Sequence, residues 1–155
     1  TQQTFHEIAL NDAVVTKGAI ARVIQISVCC DGVEATNFSG DGVILCTPTG
    51  STAYSMSAGG PIVEPEAKNF IVSPICAHYI GARSFVLSPN HEITVKTDMM
   101  HNRRAYVYVD GTDGFELANE DIVVISKSAK QADLIYLGDR SFYDSTFDKL
   151  QYKIQ

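Results

Sequence analysis

The sequence predicts a mainly β protein, a β-sandwich-like domain that carries one or two short helices. Apolar and polar residues alternate with a period of two along much of the chain, which is typical of half-buried strands. Strand-like segments recur at intervals of roughly 8–12 residues with turn residues between them, as in all-β sandwiches. The chain has 155 residues, of which 45% are hydrophobic, and this is enough to bury one sizeable core.

The N-terminal strands are the most clearly marked. Residues 19–28 alternate, with Arg22 interrupting the apolar face, and the Asp31-Gly32 turn then predicts a β-hairpin that returns through residues 33–38. Residues 43–46 form a continuous apolar run between Gly-Asp-Gly and Thr-Pro, which is typical of a strand buried on both faces. Further strands are predicted at residues 69–73, 83–88, 92–97, 104–110, 115–118, 122–126 and 132–137.

Helical patterning is scarce. One short helix is predicted over residues 52–58, where Gly59-Gly60-Pro61 ends it, and another over residues 143–150. No repeat or linker divides the chain, so we expect a single domain over residues 1–155. Because the sequence begins with Thr1 and enters a strand-like stretch at once, we expect it to be part of a longer protein.

Charge and hydropathy restrict the partners that the chain can have. It carries 18 acidic residues against 12 basic ones, a net charge of -6. Nucleic acids and anionic membranes bind to positive surfaces, so we expect neither as a partner. No apolar run reaches the roughly 18 residues that span a bilayer, and no signal-peptide pattern is present at the start. We therefore expect a cytoplasmic protein.

The cysteines give no indication of a metal or redox site. No pair among them has the C-x-x-C spacing, and the histidines are scattered as well. Reduced, buried thiols and no metal site are the expectation. The cysteines are Cys29, Cys30, Cys46 and Cys76.

The most informative segment, residues 40–61, reads GDGVILCTPTGSTAYSMSAGGP. The buried strand leads into four hydroxyl-bearing residues around a Pro and a Gly, and a short helix follows. Free N–H groups at a helix N-terminus attract phosphate, and glycine lets a ligand approach the backbone. An ordinary helix with Ser51 as its N-cap explains the same residues. The residues alone leave both interpretations open.

Three other sites have a structural and a functional interpretation. Asp41, between two glycines, fits a turn as well as a carboxylate that binds a ligand hydroxyl. Asn11-Asp12 fits a bulge or turn, and also an amide and a carboxylate offered to a base or ribose. Residues 110–114 lack the ligand spacing of a calcium loop and are better explained as a hairpin turn. The sequence contains no complete catalytic motif such as G-x-x-x-x-G-K-[ST] or G-x-S-x-G.

Residues 40–61 resemble NAD kinases, which phosphorylate the 2′-hydroxyl of the adenosine ribose of NAD to give NADP. Gly-Asp-Gly, a buried strand and T-P-T-G-S-T-A-Y-S-x-S-A-G-G-P follow one another without a gap. Other features of that family lie around this segment and extend the resemblance over most of the chain. They are Ala-Leu-Asn-Asp at residues 9–12, Pro74-Ile75-Cys76, His78, Asp110-Gly111 and Phe142-Tyr143.

The resemblance implies the β-rich C-terminal domain of a kinase whose N-terminal α/β domain is absent here. In that family the catalytic Asp lies in a Gly-Gly-Asp-Gly loop, which this sequence lacks. We therefore expect no catalytic residue in this chain and no activity from it alone. The resemblance also implies ATP or polyphosphate as phosphoryl donor, Mg²⁺ or another divalent metal, and a homo-oligomer, either a dimer or a tetramer.

The resemblance implies NAD-binding roles for a set of residues, with the adenosine pocket formed by the start of the chain and the hydroxyl-rich segment. The set comprises Asn11, Asp12, Arg22, Asp41, Thr52, Ala53, Tyr54, Ser55, Met56, Ser57 and Thr112. Asp12 replaces the Glu of many members, Ser39 a basic residue, and Thr112 the Gln of many bacterial members.

Two other functions remain open from the sequence. One is a non-catalytic nucleotide-binding or oligomerisation module without a kinase partner domain, which differs from a kinase only in lacking the Gly-Gly-Asp-Gly loop upstream. The other is a related kinase that acts on lipid, which the unbroken T-P-T-G-S-T-A-Y does not favour.

Overall fold

A computed structural model describes residues 5–18, 22–98, 104–135 and 141–151. Within these ranges the regular structure is mainly strand, with two 3-10 turns, one single-turn helix and one longer helix near the end. The strands are β1 (Asp12–Lys17), β2 (Ile24–Cys30), β3 (Val33–Gly40), β4 (Gly42–Cys46), β5 (Phe70–Ile75), β6 (Phe85–Leu87), β7 (Ile93–Asp98), β8 (Ala105–Val109), β9 (Phe115–Leu117) and β10 (Ile122–Ile125). The helices are α1 (Tyr54–Ser57) and α2 (Phe142–Gln151).

The strands form two antiparallel sheets. The larger sheet has the order β6-β5-β4-β1-β8-β9, and the smaller one has the order β10-β7-β2-β3. Apolar residues of both sheets meet in a common core, in which Val15, Val43 and Val72 of the larger sheet pack with Ile26 and Val95 of the smaller sheet. The predicted β-sandwich is therefore confirmed.

Strand β4 is buried on both faces. Val43 and Leu45 belong to the core between the sheets, whereas Ile44 and Cys46 belong to a second cluster on the opposite face of the larger sheet. Ala58 and Val63, from the segment that follows β4, pack against this second cluster. The apolar run at residues 43–46 is continuous because the side chains on both faces of β4 are buried away from water.

The predicted Asp31-Gly32 turn is confirmed. Asp31 has a φ of 49° and Gly32 a φ of 80°, and two successive residues of positive φ are the signature of the tight turn whose twist matches a hairpin. Strands β2 and β3 pair on either side of it, with Cys30 opposite Val33.

Other local predictions need correction. The strand predicted at residues 132–137 is wrong over residues 132–135, which have no regular structure, and residues 136–137 lie outside the described ranges. The helix predicted over residues 52–58 is also wrong in extent: a 3-10 turn at Thr49–Thr52 precedes the four-residue α1. Residues 19–21 of the first predicted strand lie outside the description as well.

Three further expectations can be compared with the described ranges. All four cysteines are free, but only Cys46 is buried, and Cys76 is exposed, so the expectation of buried thiols is only partly right. Neither α1 nor α2 has the length and apolar character that a membrane-crossing helix requires. The second helix, predicted over residues 143–150, is confirmed as α2.

Removing the side chain of Ile44 tests the double burial of β4. Ile44 is fully buried, so Ile44→Ala should lower the free energy of unfolding by about 2–5 kcal/mol. The control, Ile122→Ala, removes the same atoms from a side chain of β10 that is 50% exposed, and it should cost less than about 1 kcal/mol. Urea unfolding measures both, and equal losses would contradict the assignment of β4 to the interior.

Candidate functional site

A cleft of about 340 Å³ lies where the beginning of β1, the end of β8 and the beginning of α1 come together. These three segments are far apart in the sequence and are joined by the antiparallel pairing of β1 with both β4 and β8. The residues that line the cleft are Asn11, Asp12, Val14, Thr16, Ala53, Tyr54, Tyr108, Asp110 and Gly111.

The hydroxyl-rich loop after β4 holds the chain just before β1. The Thr47 hydroxyl donates to the carbonyl of Leu10 at 2.7 Å, and the Thr47 N–H donates to the carbonyl of Asn11 at 2.9 Å. Gly50 packs so closely on Asn11 that a Cβ atom at this position would lie 2.1 Å from the Asn11 carbonyl oxygen. The Thr-Pro-Thr-Gly part of the motif thus positions Asn11 at the cleft.

Two serines of the motif, Ser51 and Ser55, form hydrogen bonds within the fold. The Ser51 hydroxyl donates to the carbonyl of Val63 and accepts from its N–H, both at 3.1 Å. The interpretation of Ser51 as a helix N-cap is therefore wrong, and Ala53 occupies the cap position of α1. Ser55 is completely buried, with its hydroxyl 2.9 Å from that of Ser73.

The carboxylate of Asp110 holds the three residues at which the chain enters β1. It accepts the N–H of Leu10 at 2.6 Å, of Asn11 at 2.8 Å and of Asp12 at 2.9 Å. The Asp110 N–H donates in return to the carbonyl of Asp12 at 3.0 Å. Asp110 has a φ of 47° and Gly111 one of 73°, which confirms the predicted turn after β8.

Asp12 is the buried acid of the cleft. Its residue surface is only 8% exposed. Burial, followed by the nearby Asp110 carboxylate, raises the pKa of Asp12 above its ordinary value of 3.8. Desolvation and a neighbouring like charge both disfavour the ionised form. A partner that donates hydrogen bonds to this carboxylate would relieve both effects.

Two tyrosines give the cleft an aromatic surface. Tyr54 begins α1 and is 47% exposed, so its ring is accessible from solvent. Tyr108 lies opposite Val14 in the β1–β8 pair and packs partly against the second apolar cluster. The combination of aromatic rings, an amide and carboxylates suits a planar base with attached hydroxyl groups.

Asp41 lies at the turn between β3 and β4 and is paired with a lysine. Its carboxylate is 2.6 Å from the ammonium group of Lys17, and its carbonyl accepts the hydroxyl of Thr16 at 2.9 Å. Thr16 lines the cleft, and Asp41 contacts this residue without lining the cleft itself. The Gly-Asp-Gly segment therefore forms a structural turn, and the Asp41 carboxylate in it is paired with Lys17.

The structure brings together only part of the predicted set. Asn11, Asp12, Ala53 and Tyr54 line one cleft. The other predicted residues are not among its lining, and their binding roles stay predictions. Of these, Arg22, Ser57 and Thr112 are exposed, Asp41, Thr52 and Met56 are half-buried, and Ser55 is buried.

Sequence reasoning missed Tyr108 as a cleft residue and gave Asp110 no role beyond its turn. The alternation along β8 places Tyr106 and Tyr108 on one face, and that pattern was available from the sequence. What the pattern cannot give is the neighbour of β8 in the sheet, because β1 is almost a hundred residues away and pairs with β8 only in the fold.

Comparison with known proteins relates this cleft to one family. Residues 10–137 match the family model described as the ATP-NAD kinase C-terminal domain. The chain belongs to this family. The match includes all three segments that form the cleft, and it confirms the resemblance noted for residues 40–61.

Curated relatives of the ATP-NAD kinase family show the same relationship. The NAD kinase of Carboxydothermus hydrogenoformans is 46% identical over 144 residues, covering 92% of this chain and 50% of that protein. The NAD kinase of Aquifex aeolicus is 42% identical over 143 residues, covering 92% of this chain and 52% of that protein. The chain thus spans about half the length of these relatives.

Solved structures of the ATP-NAD kinase family share the fold. The crystal structure of an NAD kinase from Archaeoglobus fulgidus in complex with ATP superposes with a TM-score of 0.69 and 35% identity, covering 78% of this chain and 46% of that one. Yeast NADH kinase complexed with NADH gives a TM-score of 0.65 and 33% identity, covering 77% of this chain and 35% of that one.

Asp110→Ala tests the clamp on the chain before β1. Three N–H groups lose their acceptor, and each unsatisfied group costs about 1–3 kcal/mol where water cannot replace it. We expect lower stability and faster hydrogen exchange at the amides of Leu10, Asn11 and Asp12. The control is Asp113→Ala, at an exposed residue of the same turn. Unchanged exchange at these three amides in Asp110→Ala would refute the clamp.

Asp12→Asn tests the electrostatics of the cleft. Because the pKa of Asp12 is raised on folding, its ionisation destabilises the folded state, and this penalty develops as the pH rises above 3.8. The variant should be more stable than the parent at neutral pH, and the difference should shrink as the pH falls towards 3.8 and vanish below it. Urea unfolding across the pH range measures it. A difference that grows towards acid pH would have the wrong sign.

Proposed function

We propose that the protein is an NAD kinase, which transfers a phosphoryl group to the 2′-hydroxyl of the adenosine ribose of NAD, and that this chain binds the acceptor. The observation that carries the proposal is the convergence of Asn11, Asp12 and Tyr54 on one cleft. Membership of the ATP-NAD kinase family supports it. So do the relatives named NAD kinase and the NADH complex of the yeast enzyme.

The chemistry of the cleft suits the adenosine part of a dinucleotide. The Asp12 carboxylate can accept hydrogen bonds from two ribose hydroxyls, and the Asn11 amide can both donate and accept towards a base or sugar. The exposed ring of Tyr54 offers a flat surface for the adenine, and a stacked base contributes about 1–3 kcal/mol in such arrangements. Since the entry to β1 is clamped by Asp110, these groups are held in place before the ligand arrives.

Catalysis requires more than this chain supplies. Phosphoryl transfer depends on positioning and on neutralising the charge of the donor phosphates. No Gly-Gly-Asp-Gly is present in the sequence, and a general base contributes about 10²–10⁴-fold. We therefore expect the chain to bind the acceptor and to have negligible turnover by itself, with ATP or polyphosphate held by the other half of the protein.

The described residues form no group of three oxygen ligands that would hold magnesium by itself. Magnesium prefers oxygen ligands, and the one converging group of three ligand side chains in the described ranges contains a thiol and an imidazole. Both oxygens of Asp110 already accept backbone N–H groups. The proposal thus gives this chain no part in holding the divalent metal.

A homo-oligomer in the cytoplasm completes the proposal. Strand β10 lies at the edge of the smaller sheet, and its Ile122 and Val124 side chains are exposed. An exposed apolar edge strand favours pairing with a second copy of the chain. Sedimentation analysis across a range of concentrations tests this part separately from ligand binding.

Calorimetric titration of the chain with NAD and NADP, with AMP as the adenosine control, tests the acceptor site. We expect saturable binding of NAD, with AMP binding more weakly to the same site. A folded chain that binds none of the three would contradict an acceptor pocket contained in this half of the protein. Binding of AMP as tight as that of NAD would limit the pocket to the adenosine end.

Tyr54→Ala tests the aromatic wall of that pocket. The loss of about 1–3 kcal/mol of stacking should weaken NAD binding by roughly 10–100-fold, with little change in stability because the ring is half exposed. Tyr143→Ala is the matched control, since Tyr143 is an exposed tyrosine of α2. Equal NAD affinity of both variants and the parent would remove Tyr54 from the site.

A further inference from the structure

Three side chains capable of binding metal meet at the turn between β2 and β3, in the smaller sheet. They are Cys30, Asp31 and His91, and one ligand atom of each lies within 4.8 Å of the others. Cys30 and His91 are half-buried, while Asp31 is exposed. The proposed acceptor cleft lies on the larger sheet, so the NAD-binding function does not explain this cluster.

Cys30 and Asp31 are each joined to one of the two residues that follow His91 in the sequence. The Asp31 N–H donates to the carbonyl of Glu92 at 2.9 Å, and the Glu92 N–H donates to Asp31 Oδ1 at 2.9 Å. Cys30 is paired with Ile93 in the β2–β7 ladder. The positions that carry the ligand atoms are therefore set by the sheet and the turn, before any ion is bound.

The side chains converge on that frame. Asp31 Oδ2 and His91 Nδ1 are 2.5 Å apart, and this contact uses one oxygen and one ring nitrogen. An ion pair accounts for Asp31 and His91 alone, and the sulfur of Cys30 beside them is what makes the group a complete ligand set.

We propose that Cys30, Asp31 and His91 bind a single transition-metal ion, with Zn²⁺ favoured. One thiolate, one imidazole and one carboxylate are ligands of the types that zinc takes in proteins, and a water would occupy the fourth tetrahedral position. The thiolate and imidazole disfavour Mg²⁺ and Ca²⁺, which prefer oxygen. On binding, the Cys30 thiol releases its proton to solvent, because the sulfur coordinates as a thiolate.

A bound ion would connect the turn between β2 and β3 to the beginning of β7. Both segments belong to the smaller sheet, so binding should stabilise that sheet. The acceptor cleft belongs to the other sheet, and NAD affinity should change little. The predicted effect of zinc is thus a higher unfolding temperature that depends on zinc concentration.

Titration with Co²⁺ tests the site, because a thiolate ligand gives cobalt a charge-transfer absorption band in the near ultraviolet. The parent protein should show this band at one equivalent of cobalt, and Zn²⁺ should abolish it by displacement whereas Mg²⁺ should not. Cys30→Ser should lose the band, and His91→Gln should weaken the metal affinity more than about 10-fold. Each removes one ligand with little change in size.

Two matched variants separate this site from general metal binding. Cys29→Ser changes the neighbouring thiol of the same strand, and His78→Gln changes an exposed histidine outside the cluster; both should bind cobalt like the parent. No thiolate band in the parent protein, or a band that survives Cys30→Ser, would overturn the proposal. So would a zinc-induced rise in unfolding temperature that is the same in the parent and in Cys30→Ser.

Discussion

The carboxylate of Asp110 is the contact on which the geometry of the candidate site depends. Its two oxygens accept three successive N–H groups, those of Leu10, Asn11 and Asp12, at the point where the chain enters β1. These donors lie at and just before the first residue of β1, and a charged acceptor satisfies them more strongly than a neutral one would. The turn after β8 positions Asp110, so this one side chain connects the end of β8 with the beginning of β1. This connection fixes the positions of Asn11 and Asp12, whose amide and carboxylate line the cleft.

The hydroxyl-rich segment after β4 serves the fold more than its composition suggests. Thr47 holds Leu10 and Asn11, Ser51 holds Val63, and Ser55 is buried beside Ser73. These three hydroxyls thus have partners inside the protein, and the single-turn helix that follows is too short to offer a strong dipole. The ring of Tyr54 is the part of the segment that faces solvent at the cleft. The motif therefore forms one wall of the cleft, and only a small number of its groups, the Tyr54 ring among them, are accessible to a ligand.

The sequence was sufficient for most strands, for the Asp31-Gly32 hairpin and for the strand buried on both faces, because those features depend on local alternation and turn chemistry. It overestimated the helix after β4, since Ser51 bonds to Val63 instead of capping a helix. The strand predicted at residues 132–137 shows that an apolar stretch forms no strand unless a sheet edge receives it. The sequence alone could not show which residues far apart in the chain are in contact. Asp31 and His91 are 60 positions apart, and only the pairing of β2 with β7 brings them together.

Asp12 and Asp110, two acidic side chains at one end of the cleft, also affect how a ligand would lie in it. Burial, followed by repulsion from Asp110, raises the pKa of Asp12, and the negative field of the two carboxylates repels any phosphate brought close to them. In the proposed complex a neutral, hydroxyl-bearing nucleoside is tolerated there, whereas the pyrophosphate is driven towards the open side. Charge repulsion would thereby limit how deeply an elongated dinucleotide enters the cleft, and would keep its central pyrophosphate beyond the two carboxylates whichever nucleoside enters first.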